Sequence, residues 1–139
     1  MSLNHAKWWI GGVWILGAGA IGLLLALQSM MNRYGQGADE VWAWFLPTVM
    51  PTLSLIVAVL ASDFRAAGGP GGSPQPVVGP MLWLALGLSV IYLLLVALAI
   101  LLPILRQVPL LENLHRSNLW LGPFQGLTLA ALGAFFRRN

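Results

Sequence analysis

The sequence predicts an all-α integral membrane protein, with four transmembrane helices in an up-down-up-down bundle that is expected to be homo-oligomeric. Three observations predict it. Four apolar runs are each long enough to cross a bilayer, and their centres carry no ionisable residue. Only 8% of the 139 residues are charged, where a soluble domain carries about a quarter. The mean hydropathy is +0.81, and a soluble chain of this length has no core large enough to hide so much apolar surface. The reading is one membrane domain over residues 1–139, with spans at about 8–31, 41–62, 81–102 and 118–136.

The first span follows a short polar lead-in, residues 1–7. From Trp8 to Met31 an α-helix covers about 36 Å, enough to cross with some tilt. It is too long for a signal-peptide core and is expected to remain as an anchor. Trp8, Trp9 and Trp14 cluster near its start, where indole rings favour the headgroup zone. Gly11, Ala18, Gly22, Ala26 and Ser29 form a loose stripe of small residues along it. The span ends in the polar, glycine-rich segment NRYGQG.

Asp39 and Glu40 precede the second span, where negative charge complements the helix dipole. Trp42 and Trp44 are expected at the interface. Pro47 and Pro51 lie inside the apolar run. Each removes a backbone donor and crowds the carbonyl one turn back, so a kinked or locally unwound helix is expected. Thr48, Thr52 and Ser54 are the nearby hydroxyls that can serve the freed carbonyls. Residues 63–80 are rich in Gly, Pro and Ser and read as a flexible tether.

The third span is the most uniformly apolar, interrupted only by Gly87, Ser89 and Tyr92, with Pro103 and Pro109 at its exit. Residues 106–117 read as interfacial: Leu110, Leu111 and Leu114 share one helical face, with Glu112, His115 and Arg116 toward water. Ser117 is placed to cap the last helix. The fourth span carries Gly122, Gly126, Ala130 and Ala134 at steps of four, with Gln125 beside them, and ends in Arg137 and Arg138 as interface anchors.

Several function classes are excluded or weakened by composition. There is no cysteine, hence no disulfide, thiolate metal site or thiol nucleophile. A net charge of +3 is too small and scattered for a nucleic-acid footprint. Proton-coupled transport normally needs an ionisable residue at depth. His5 and His115 lie outside the spans, so a haem bundle is not expected. No Walker loop, HExxH or GxSxG is present, and no catalytic residue, metal site or cofactor is assigned.

Two features remain. Small residues at four-residue spacing let helix backbones approach closely, either inside one bundle or between copies. Pro47, Thr48, Pro51, Thr52 and Ser54 put hydroxyls and freed carbonyls on a kinked segment. They either line a pore or satisfy their own helix. The expected function is therefore a non-enzymatic membrane protein that self-assembles into a pore or channel. The alternative is an accessory or anchoring subunit of a larger membrane complex. The expected partners are the lipid bilayer and either copies of itself or other membrane subunits. Four spans put both termini and the tether on one side with Lys7, Arg65, Arg137 and Arg138, against Arg33, Arg106 and Arg116 on the other. That excess sets an expectation of cytoplasmic termini, and the small size and absence of other targeting signals set one of a bacterial-type inner membrane. In size, apolarity and basic tail the chain is similar to bacterial holins, but no shared motif assigns it to a family.

Overall fold

A computed structural model describes residues 2–66, 79–107 and 109–137. Of the tether expected over 63–80, residues 63–66 belong to α2 and 79–80 to α3, while 67–78 lie outside the described residues, as does Arg138. The described residues are helical: α1 (Leu3–Met30), a 3-10 turn (Gly35–Gly37), α2 (Ala38–Ala66), α3 (Gly79–Arg106) and α4 (Leu110–Phe136). All four α-helices are long and apolar enough to cross a membrane. At 27 to 29 residues each, they span about 40 Å, more than the roughly 30 Å of bilayer hydrocarbon.

The helices form a ring in which α1 packs on α2 and α3, and α4 packs on α3 and α2. The most extensive contact is between α3 and α4. The inner face of each helix follows a seven-residue rhythm. On α1 it is Ala6, Ile10, Trp14, Ala18, Ile21 and Leu25; on α2 it is Val41, Phe45, Thr48, Thr52, Ile56 and Leu60. That spacing keeps one stripe facing the neighbours along the whole helix. The outer faces are equally apolar, with Leu16, Leu23, Met30, Trp83, Leu105 and Leu119 exposed. A helix apolar all round is what lipid on one side and protein on the other require.

The helices run past the expected spans at several ends. The lead-in is helical: Ser2 caps α1, its hydroxyl accepting from the His5 N–H at 3.4 Å, and Lys7 is only 2% exposed. α3 runs through Pro103, which is buried, to Arg106. Residues 110–117 are the first turns of α4 rather than a separate interfacial segment. Ser117 is therefore no cap, and its hydroxyl donates back to the Leu114 carbonyl at 2.6 Å. The amphipathic order within that stretch does hold, with Leu114 buried and Glu112, His115 and Arg116 exposed. Asn113 ties α4 to α3 by donating from Nδ2 to the Ala99 carbonyl at 3.0 Å.

α1 ends in a Schellman motif. Asn32 takes a left-handed φ of 56°, the Arg33 N–H returns to the Gln28 carbonyl, and the Asn32 N–H to that of Ser29. The Tyr34 hydroxyl then donates to the Gln28 side-chain carbonyl, and Trp42 Nε1 donates to Ser29 Oγ at 3.2 Å, drawing the start of α2 against the end of α1.

Candidate functional site

The Pro47–Pro51 turn of α2 is a node where three helices meet. α2 passes through both prolines as continuous α-helix, without local unwinding. Pro51 has no N–H, so the Pro47 carbonyl lacks its intrahelical donor. That donor comes from α4, not from the adjacent hydroxyls: Gln125 Nε2 lies 3.2 Å from the Pro47 carbonyl oxygen. The same amide nitrogen lies 3.0 Å from the Thr48 carbonyl oxygen, and the Tyr92 hydroxyl of α3 donates to that oxygen at 2.7 Å. The Thr48 hydroxyl turns back onto its own helix, donating to the Trp44 carbonyl at 2.6 Å. The Tyr92 ring is fully buried and lies against Trp14 of α1, ring centroids 5.8 Å apart, so all four helices converge here.

Thr48 and Thr52 are both buried within the bundle, whereas Ser54 is exposed and opens onto a groove between α1 and α2. Thr52 differs from the other buried hydroxyls. Its Oγ1 has no hydrogen-bond partner, and neither do the indole N–H groups of Trp14 and Trp44. Trp44 is 5% exposed, with its ring in the core rather than at a headgroup surface. Trp8 and Trp9 are exposed near the start of α1, Trp42 is half-buried against Ser29, and Arg137 is exposed at the end of α4.

The two small-residue stripes have different positions. On α1, a Cβ added to Gly11 would meet Leu60 Cδ1 at 3.0 Å, and one added to Gly22 would meet Phe45 Cε1 at 3.5 Å. Ala18 is buried as well. That stripe is used inside the bundle, where it lets α1 approach α2. On α4, Gly122, Gly126, Ala130 and Ala134 are all exposed, and nothing lies within 4 Å of a Cβ placed at Gly122 or Gly126. Gln125, beside them, points the other way, toward α2.

Sequence reasoning passes over Tyr92, because a single tyrosine in an apolar run carries no pattern of its own. Its signal is indirect: a buried phenol needs an acceptor, and a proline-interrupted helix supplies accessible carbonyls. Among the described residues, no group of His, Asp and Glu side chains is placed to hold a metal ion. Comparison of the chain with protein-family models, curated proteins and solved structures gives no match.

Proposed function

We propose that this chain is a non-enzymatic membrane protein that docks other membrane helices on α4, as an accessory or anchoring subunit of a larger membrane assembly. The observation that carries this reading is the open stripe Gly122, Gly126, Ala130 and Ala134. It presents a flat backbone surface outward while the comparable stripe on α1 is covered. Flat faces of this kind are where membrane helices gain close van der Waals packing. An up-down-up-down course belongs to the reading, supported by Gly11 lying opposite Leu60 and Gly22 opposite Phe45. So does an inner-membrane location, which rests on the small size of the chain, with cytoplasmic termini, which rest on the charge count alone.

A conducting ring of copies is the weaker reading. It would use the same α4 face for assembly, but of its expected lining only Ser54 is exposed, while Thr48 and Thr52 face the inside of the protomer, and both the Thr48 hydroxyl and the Thr48 carbonyl are already hydrogen-bonded.

The chain has no cysteine, so Gly126→Cys gives one cross-linking handle on the proposed face. In native membranes it is expected to form an adduct with a second membrane polypeptide, and Gly122→Ile is expected to abolish that adduct. The purified protein is expected to carry no ion flux in liposomes. A symmetric ring with flux altered by Thr48→Val and Thr52→Val would overturn the proposal in favour of a pore.

A further inference from the structure

We infer that the Pro47–Pro51 turn of α2 is a two-position hinge, in which Tyr92 of α3 and Thr52 of α2 compete for the Thr48 carbonyl. Inside an apolar helix, a hydroxyl normally donates to the carbonyl one turn back. Thr48 does so to Trp44 at 2.6 Å, Ser89 to Ala85 at 2.7 Å, and Thr128 to Phe124 at 2.8 Å. The equivalent acceptor for Thr52 is the Thr48 carbonyl. The Thr48 carbonyl oxygen already serves the Thr52 N–H of its own helix and also receives Tyr92 and Gln125, so it has no lone pair left for a further hydroxyl. Thr52 is therefore left as a fully buried hydroxyl with no partner. An unpartnered donor in hydrocarbon disfavours the arrangement that creates it.

Two arrangements of the same groups follow. In the latched one, seen here, α3 and α4 hold α2 through two successive carbonyls. In the released one, Tyr92 lets go and Thr52 takes its place, so the number of bonds to the Thr48 oxygen is conserved. Pro47 and Pro51 weaken the backbone ladder of α2 at this turn, and bending there costs less than elsewhere on the helix. The groove between α1 and α2, about 650 Å³, is lined from both sides of the turn, by Phe45 and Leu46 before it and by Leu53, Ser54 and Val57 after it. Motion at the hinge changes the width of that groove. The hinge operates whatever docks against α4.

The test uses spin labels on Ser62→Cys and Leu84→Cys, both exposed positions, in the full chain in lipid nanodiscs. The parent is expected to give one dominant distance. Tyr92→Phe is expected to raise the ratio of a second distance about fivefold, the effect of deleting one hydrogen bond. Adding Thr52→Val to Tyr92→Phe is expected to return the distribution toward the parent. A single distance in Tyr92→Phe would overturn the inference. So would a second distance that Thr52→Val leaves unchanged, since the turn would then be loosened without any exchange of partners. If Tyr92→Phe does not fold, Tyr92→Leu, which also removes the hydroxyl, replaces it with the same two outcomes.

Discussion

Gln125 on α4 stands in for the backbone donor that Pro51 denies to the Pro47 carbonyl on α2, from 3.2 Å away. A break in one helix is thus repaired by a side chain from another, 78 residues further along the chain. The bond makes α4 part of α2's backbone hydrogen bonding as well as its neighbour in the bundle.

Gln125→Leu should therefore destabilise the bundle by about 1 kcal/mol. That is the low end for an unserved buried acceptor, because the unfolded state in detergent also finds partners. The same substitution made in a Pro51→Ala background should cost clearly less, since alanine at that position would return an N–H to the Pro47 carbonyl and leave only the bond to the Thr48 carbonyl to lose. Unfolding in mixed micelles with rising denaturing detergent measures both. Equal costs in the two backgrounds would contradict the repair.

The two glycine stripes should respond oppositely to bulk. Gly11→Ile drives a branched side chain into Leu60 and Ile56, and overpacking of this kind costs about 1–3 kcal/mol. A Cβ at Gly126 meets nothing within 4 Å, and Gly126→Ile should change stability by less than about 0.5 kcal/mol. Its effect should fall on association instead, read as a loss of cross-linked or co-purifying species. A large stability loss from Gly126→Ile would mean that this face is occupied within the protomer.

Sequence reasoning locates the four spans because long apolar runs have few other solutions in water or lipid. Their inner faces are not legible in the same way. Leu16 and Leu25 have the same hydropathy, yet one is exposed and the other fully buried, since lipid and protein interior are equally apolar solvents. The closeness of Trp14 and Trp44 to polar segments suggests interfacial rings, and the helical rhythm instead turns both inward. The stripes on α1 and α4 share a composition and differ only in what stands opposite. That depends on the order of helices around the ring, which no local pattern encodes. Pro47 and Pro51 announce freed carbonyls, but their partners, Gln125 and Tyr92, come from the other half of the chain.

The turn after α1 should tolerate glycine and reject a β-branched residue. Asn32 holds φ at 56°, where an L side chain other than Asn or Asp is disfavoured by about 1–2 kcal/mol. Asn32→Gly is expected to match or exceed the parent in thermal stability, and Asn32→Val to fall below it by about that amount. Identical melting of all three would show that the left-handed geometry carries no cost there.

Tyr34, between the first two spans, should ionise later than a free phenol. Burial raises its pKa from the ordinary value, and neighbouring Arg33 offsets part of that rise. A folded pKa above the unfolded one means the fold prefers the protonated form. The contribution of the turn is thus fully present below about pH 10 and is lost as pH climbs through the folded value. The chain has two tyrosines, so in a Tyr92→Phe background the phenolate absorbance reports Tyr34 alone. Ionisation at or below the ordinary pH would rule out the burial described here.

The tether from Asn113 to the Ala99 carbonyl has a bearing on how the polypeptide enters its membrane. A carboxamide arriving in hydrocarbon alone would carry its full dehydration penalty, but here it is already mated to the preceding helix. α3 and α4 therefore face lipid as a pair, with the Asn113 carboxamide already served by the helix before it.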